Sequence, residues 1–193
     1  MDTAVDDYRV DRQAEQPVRL ELWCETAGMV PQLVRIGEEL GVACFSGGGF
    51  DGLADKHDAA VRAREGGLKT VVLHFGDYDP SGEHLFNALA EDVIAFAEAA
   101  GAEVEFERLA VTPEQIATYK LPTAPPNATD RRSFSGTATT QAEALPPHIL
   151  AAIVREGIEA RRDPLTHRRM LEREEAERRA IRERLGGGRP AAE

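Results

Sequence analysis

The sequence predicts an α/β fold, in which a mostly parallel central sheet of about four strands is flanked by helices in a Rossmann-like arrangement. Strand-like and helix-like segments alternate between residues 18 and 111. Parallel strands need crossover connections of this kind, and the helices then cover the faces of the sheet. The strongest strand signal, LKTVVLHF at residues 68–75, is rich in β-branched and aromatic side chains, as expected for a buried strand.

Each element has its own signal in the sequence. Strands are expected where short apolar or alternating segments occur, at residues 18–24, 42–45, 68–75 and 102–111. Helices are expected where apolar residues recur at three- and four-residue steps or where glycine ends a helical pattern, at residues 28–41, 53–67 and 81–101. The sheet and its helices therefore fall within residues 18–111.

Further helices are expected after the sheet. Thr112 is a candidate N-cap with Pro113 at the first helical position, and another short helix starts at the proline pair Pro146-Pro147. Residues 164–185 form a charged helix whose apolar stripe is thin, which favours a solvated helix over one that docks on a partner. The expected organisation is a flexible leader (1–17), an α/β domain (18–160), and a charged helix with a disordered tail (161–193).

Composition limits the classes of function. The formal net charge is -11, which argues against a protein that holds nucleic acid through a broadly basic surface. A metal-dependent site acting on phosphates remains compatible with this charge, because bound cations carry local positive charge. No apolar run approaches the ~20 residues needed to cross a bilayer, and the acidic N-terminus does not resemble a signal peptide. We expect a cytoplasmic protein without a membrane partner.

Three acidic residues follow predicted strands. Asp77 and Asp79 come directly after the strand that ends at Phe75, and Glu25 comes directly after the first strand. In an open parallel sheet the carboxyl ends of the strands form the ligand-binding edge, so these carboxylates are expected to converge there. Like charges brought together raise one another's pKa values, and a divalent cation removes that cost. A set of oxygen ligands without His or Cys suits Mg²⁺.

A simpler interpretation exists for one of these residues. Asp79 precedes Pro80, and an Asp N-cap followed by Pro at the first helical position is a common helix start. Asp79 is therefore a candidate helix cap as well as a candidate ligand. Glycines in the same turn are equally compatible with ordinary turn geometry.

The segments CETAG (residues 24–28) and VVLHFGDYDPSGEHL (residues 71–85) together resemble the Toprim domain. That domain is shared by topoisomerases, primases, OLD-family nucleases and recombination proteins. The Asp-x-Asp-Pro-x-Gly turn is most similar to the branch of the topoisomerase VI A subunit and the meiotic double-strand-break proteins. Weaker similarity to segments of that branch extends the match over about residues 18–160.

The resemblance implies roles for individual residues. Asp77 and Asp79 resemble the Mg²⁺-chelating pair of the family, and Glu25 resembles its general acid/base or further metal ligand. Gly82 would allow a phosphate to approach the backbone near a helix N-terminus. The implied activity is Mg²⁺-dependent cleavage of nucleic-acid phosphodiesters, by a nuclease or topoisomerase-like reaction, with DNA favoured over RNA.

Other residues near this turn are weaker candidates for substrate binding. The glycine-rich stretch SGGGFDG (residues 46–52) lacks the lysine and hydroxyl residue of a P-loop, but Gly48 and Gly49 are candidates for contact with a ligand at the edge of the crevice. His84 lies just inside the predicted helix and is a further candidate. Arg131 and Arg132 are candidates for nucleic-acid contact from a loop.

The sequence also departs from that branch. In the branch, a winged-helix domain before the Toprim domain carries the tyrosine that attacks DNA, and here only seventeen residues precede the first strand. We therefore expect a stand-alone Toprim protein, or one that works with a separate winged-helix or other DNA-binding protein. A tyrosine transesterase in this chain alone is not expected.

Two alternatives stay open. The first is a non-catalytic module of the same type that binds nucleic acid or a partner protein, which the acidic composition favours. The second is a haloacid-dehalogenase-like phosphatase, since DYDPS (residues 77–81) also fits a nucleophile-and-acid pattern. The second is disfavoured, because the lysine and the later acidic pair that this chemistry needs are not evident and Lys120 is the only lysine after Asp79.

Overall fold

A computed structural model describes residues 3–46, 52–127 and 129–186. Its centre is a four-stranded sheet in the order β2-β1-β3-β4, and every pair of neighbours is parallel. The strands are β1 (Arg19–Cys24), β2 (Ala43–Ser46), β3 (Thr70–Phe75) and β4 (Val104–Ala110). The predicted Rossmann-like α/β fold with a sheet of about four strands is confirmed.

The α-helices surround the sheet and continue beyond it. They are α1 (Thr3–Asp6), α2 (Val30–Leu40), α3 (Leu53–Gly66), α4 (Pro80–Ala99), α5 (Pro113–Tyr119), α6 (Pro147–Glu159) and α7 (Pro164–Gly186). Among the described residues, short 3₁₀ helices at Ala27–Met29 and Ala142–Ala144 lie between these elements. In the part of the chain that the structure describes, no helix is long and apolar enough to span a membrane.

Each face of the sheet has its own core. Alternate β3 residues point to opposite faces, so Leu73 belongs to the core covered by α2 and α6, whereas Val72 belongs to the core covered by α3 and α4. Trp23 of β1 is fully buried in the second core. Burial on both faces explains why β3 reads as a continuous apolar run.

The helix ends follow the signals read from the sequence. Thr112 caps α5 in a capping box with Gln115, and Pro113 holds the first position. Gly41 ends α2 with a left-handed φ of 73°, a conformation that is accessible to glycine without steric cost. These local signals account for the close agreement between the predicted and observed elements.

The strand order creates a topological switch point between β1 and β3. From β1 the chain first runs through α2 to β2 on one side, and it later places β3 on the other side of β1. The connections that leave the carboxyl ends of β1 and β3 therefore diverge. Such a topological switch point is where open α/β sheets bind their ligands.

The N-terminal segment packs against α7. Gln13 is buried and exchanges two hydrogen bonds with the main chain of Leu20, and Arg12 pairs with Glu174 of α7. Glu174 is only 2% exposed. These contacts are not expected from the sequence, which predicts a flexible leader at residues 1–17 and a solvated charged helix at residues 164–185. The boundaries proposed for the domain at residues 18 and 160 stay a prediction.

Candidate functional site at the carboxyl edge of the sheet

Glu25 lies beside the end of β3. Its main-chain N–H donates to the carbonyl of Phe75 at 2.9 Å, so the residue after β1 is held against the last residue of β3. The next residue of that connection, Gly76, leaves no room for a side chain, because a Cβ atom there would collide with Oε2 of Glu25. The carboxylate of Glu25 therefore lies directly over the turn that leads to Asp77.

The turn after β3 is fixed by a returning segment of chain. Tyr78 and Thr140 exchange two main-chain hydrogen bonds, of 2.8 and 2.9 Å, in an antiparallel bridge. Oδ1 of Asp77 accepts a hydrogen bond of 2.8 Å from the N–H of Ala142, at the start of the second 3₁₀ helix. One oxygen of the Asp77 carboxylate is thus occupied by the protein itself.

Asp79 is the N-cap of α4. Its Oδ1 accepts a hydrogen bond of 2.7 Å from the N–H of Gly82, and Pro80 holds the first helical position. The helix-cap interpretation of Asp79 is confirmed. The capping hydrogen bond uses only Oδ1 of Asp79. The second carboxylate oxygen, Oδ2, is therefore compatible with a role as a metal ligand.

Gly82 is required by the protein's own backbone. A Cβ atom at this position would collide with the main-chain carbonyl of Asp77, which packs against the first turn of α4. The space beside Gly82 that a phosphate was expected to occupy is therefore filled by the carbonyl group of Asp77. Contact of Gly82 with a phosphate stays a prediction.

The charges at this edge act on one another. Burial raises the pKa of Glu25, and the negative charges of Asp77 and Asp79 raise it further, while the positive charge of Arg108 lowers it. Oε2 of Glu25 is buried and has no hydrogen-bond partner among the described residues. An ionised carboxylate oxygen in that situation is costly, so Glu25 is suited to hold a proton or to meet a cation.

Arg108 is a site residue that the sequence patterns did not indicate. It lies on β4, directly across from His74 of β3 in the parallel register, and its guanidinium donates to the main-chain carbonyls of Asp77, Gly82 and Val111. Burial lowers the pKa of Arg108, and the nearby charges of Glu25, Glu83, Asp77 and Asp79 oppose that shift. The site therefore carries an arginine among its carboxylates.

His74 lies under the site, where it is only 2% exposed. Its ring packs against Phe86 of α4 with the centroids 5.0 Å apart, and Nδ1 has no hydrogen-bond partner among the described residues. Burial, assisted by the charge of Arg108, lowers the pKa of His74 to about 3. His74 is therefore neutral at physiological pH.

The donor chemistry at this edge fits a hard divalent cation. The carboxylates of Glu25, Asp77 and Asp79 supply only oxygen atoms, and one of these oxygens is buried without a hydrogen-bond partner in the described part of the chain. In the described ranges, however, no three His, Cys, Asp or Glu side chains are grouped closely enough to enclose a metal ion. Any cation here would be held by one or two carboxylates, with water or a substrate oxygen completing its shell, as is usual for Mg²⁺.

The remaining predicted site residues have different outcomes. Gly48 and Gly49 lie outside the described residues. His84 is exposed on the first turns of α4, and its contact with a substrate stays a prediction. Glu143, which the sequence patterns did not indicate, lies at the same edge, with Oε1 3.3 Å from the position that a Cβ of Gly28 would take.

A cleft of about 440 Å³ lies away from these carboxylates. It opens at the opposite edge of the sheet, among Asp11, Arg19, Glu21 and Gly66. The candidate site is defined instead by the side chains that meet at the switch point.

Comparison with models of known protein families and with curated proteins finds no match. The resemblance to the Toprim domain therefore rests on the residues of the Glu25, Asp77, Asp79 and Gly82 motif and stays a prediction.

Proposed function

We propose that this protein is a Toprim-like, Mg²⁺-dependent enzyme that cleaves nucleic-acid phosphodiesters. The observation that carries the proposal is the position of Glu25 and Asp77, which follow β1 and β3 on the two sides of the switch point in the sheet. Asp79 lies two residues further on, at the N-terminus of α4. The three residues of the motif thus come from two segments of the chain to one edge.

The residues divide the chemistry among them. Asp77 and Asp79 offer the carboxylate oxygens that would hold Mg²⁺, and Glu25, whose pKa is raised, is suited to transfer a proton. A bound Mg²⁺ supplies charge stabilisation for the phosphodiester and activates a water or a 3′-oxygen. The first turn of α4 presents a helix N-terminus, which favours a nearby phosphate.

The charge of the whole chain bears on how substrate is held. With 34 acidic and 23 basic residues, the protein lacks the excess of positive charge that grips DNA through its phosphates. We propose that a separate DNA-binding protein, of the winged-helix or another type, supplies that grip. DNA is the favoured substrate because of the branch of the Toprim family that the turn resembles.

Cleavage of supercoiled plasmid DNA in the presence of Mg²⁺ tests the proposal. We expect Glu25→Gln and Asp77→Asn to reduce the cleavage rate at least about a hundredfold, since each removes one charge that binds the cation or moves the proton. Asp77→Asn keeps an oxygen that can accept the hydrogen bond from Ala142, so the turn is preserved. Glu98→Gln, on the exposed face of α4, is the matched control and should leave the rate unchanged.

The assay includes single-stranded DNA and RNA, and it is repeated with any DNA-binding protein that co-purifies with the chain. Loss of all cleavage on addition of EDTA, together with loss in the two site variants, supports the proposal. Absence of metal-dependent cleavage of every substrate, with and without a partner, contradicts it.

A non-catalytic binding module is the second candidate, and a specific observation favours it. Asp79 uses one oxygen to cap α4, Asp77 uses one oxygen to accept a hydrogen bond from Ala142, and Arg108 lies among the carboxylates. This acidic edge therefore has a cation of its own and can persist without a metal. This candidate would be favoured over the enzyme if the protein bound a nucleic acid or a partner protein, if the Asp77→Asn variant bound it equally well, and if no cleavage were detected.

A further inference from the structure

Arg108 is held in place by the backbone of the turn that carries the motif. Its Nη2 donates to the carbonyl of Asp77, its Nη1 to the carbonyl of Gly82 at 3.3 Å, and its Nε to the carbonyl of Val111 at 3.3 Å. The guanidinium carbon also lies 5.6 Å from the centre of the Phe86 ring. These contacts fix the positive charge between β4 and the first turn of α4.

The hydrogen bonds of Arg108 in the described ranges all go to main-chain oxygens. Its charge is therefore not paired with one carboxylate but acts on several. The negative charges of Glu25, Glu83, Asp77 and Asp79 all favour the charged form of Arg108. An arginine keeps its charge even when it is buried to this degree, because its pKa is so high.

We propose that Arg108 is the resident cation of this site, which neutralises the acidic edge while no metal is bound and weakens the affinity of the site for divalent cations. This inference rests on the proposed function, in which Glu25, Asp77 and Asp79 receive Mg²⁺. Arg108 then lowers the metal occupancy of the substrate-free site without abolishing it, and a substrate phosphate raises that occupancy because it adds its own negative charge.

Two roles for Arg108 predict opposite results. If the arginine only fastens the turn, its replacement loosens Asp77 and Asp79, and metal binding becomes weaker. If its charge opposes the metal, removal of that charge makes metal binding tighter, because repulsion between two cations in a partly buried site is lost. A lysine at this position keeps the charge but loses the planar arrangement of donors.

Binding of Mn²⁺ to the substrate-free protein, followed by electron paramagnetic resonance, separates these roles. We expect Arg108→Gln to bind Mn²⁺ about three- to tenfold more tightly than the parent, and Arg108→Lys to stay within about twofold of it. Arg155→Gln, which removes an exposed arginine paired with Glu39, is the matched control and should not change the affinity. Equal or weaker binding by Arg108→Gln overturns the proposal.

A second experiment measures protein stability in the absence of metal. It tests the inference even if Arg108→Gln is unstable or the parent binds no Mn²⁺. Glu25→Gln, Arg108→Gln and the double variant form a cycle measured by urea denaturation in EDTA. We expect Glu25→Gln to raise the urea midpoint more in the Arg108→Gln background than in the parent, because Glu25 then lacks its nearby cation. Equal changes in both backgrounds overturn the inference about Arg108. Failure of the parent to bind Mn²⁺ instead counts against the proposed metal site, so the two failures are distinguishable.

Discussion

His74 lies beneath the carboxylates, enclosed between the sheet and α4, and its neutral ring packs against Phe86. Arg108 lies across from it on β4. Protonation of His74 would bury a second positive charge beside this arginine. Burial and that charge together explain why the pKa of His74 falls to about 3 from an ordinary value of 6.5.

This shift predicts a specific dependence of stability on pH. Between pH 6.5 and about pH 3 the unfolded chain binds a proton at His74 that the folded protein excludes, so stability is lost as the pH falls through this window. When the pH falls from 6.5 to 4.5, the parent loses unfolding free energy through His74. The His74→Leu variant lacks this contribution, so we expect its loss over the same pH range to be smaller by about 2 kcal/mol. Urea denaturation at the two pH values measures this. His57→Gln, on the exposed surface of α3, should behave like the parent, and an equal loss in His74→Leu would contradict the argument.

Gly82 tests the geometry of the turn. Gly82→Ala places a methyl group where the carbonyl of Asp77 lies, so the turn must move away from α4. Overpacking of this kind costs about 1–3 kcal/mol of unfolding free energy. Thermal or urea denaturation measures the loss, and Asn87→Ala, on the exposed face of the same helix, is the control that should stay near the parent. Parent-like stability of Gly82→Ala would show that the carbonyl does not pack as described.

The sequence indicated some of the site residues and not others, for a physical reason. Glu25, Asp77 and Asp79 follow strand ends, and strand ends can be recognised from local periodicity. Arg108 reaches the site because β4 pairs in register with β3. Glu143 reaches it because the chain returns to the turn of Asp77 at residues 139–142. Neither relationship is encoded in the spacing of nearby residues.

At the level of elements, the strands and helices agree with the sequence to within a few residues at most ends, because caps, glycines and apolar periodicity are local. The contact between the N-terminal segment and α7 was missed, since it depends on charged side chains. Arg12 and Arg178 both pair with Glu174, which also accepts a hydrogen bond from the main chain of Val10. The thin apolar stripe of α7 in the sequence does not indicate that a glutamate of this helix is buried.

Glu174 provides a prediction for this contact. Its pKa is lowered, first by the hydrogen bond from Arg12, so the folded protein prefers the ionised form. Glu174→Gln leaves the half-buried Arg12 and Arg178 with a neutral, buried partner, and we expect a loss of about 2–4 kcal/mol in unfolding free energy. Glu175→Gln, one residue away and exposed, should change stability by less than about 0.5 kcal/mol. Urea denaturation at pH 7 compares the two, and equal effects would mean that the N-terminal segment does not depend on Glu174.

At the scale of the whole molecule, the order of the strands determines where the acidic residues meet. The order β2-β1-β3-β4 puts the carboxyl ends of β1 and β3 side by side, and the residues that follow them are Glu25 and the turn of Asp77 and Asp79. The net charge of -11 leaves the rest of the surface poorly suited to hold DNA. Under the proposed function, catalysis and the binding of substrate would therefore reside in different parts of an assembly.

Paramagnetic broadening of backbone amide NMR signals by Mn²⁺ tests the central claim, that this edge of the sheet binds a divalent cation. The account predicts that substoichiometric Mn²⁺ selectively broadens the signals of Glu25, Asp77 and Gly82, that Mg²⁺ reverses this, and that Glu25→Gln combined with Asp77→Asn abolishes it. Signals around Glu174, a carboxylate already paired with Arg12 and Arg178, should remain sharp. Broadening that is spread over the acidic surface, or that persists at residues 25 and 77–82 in the double variant, would contradict the account.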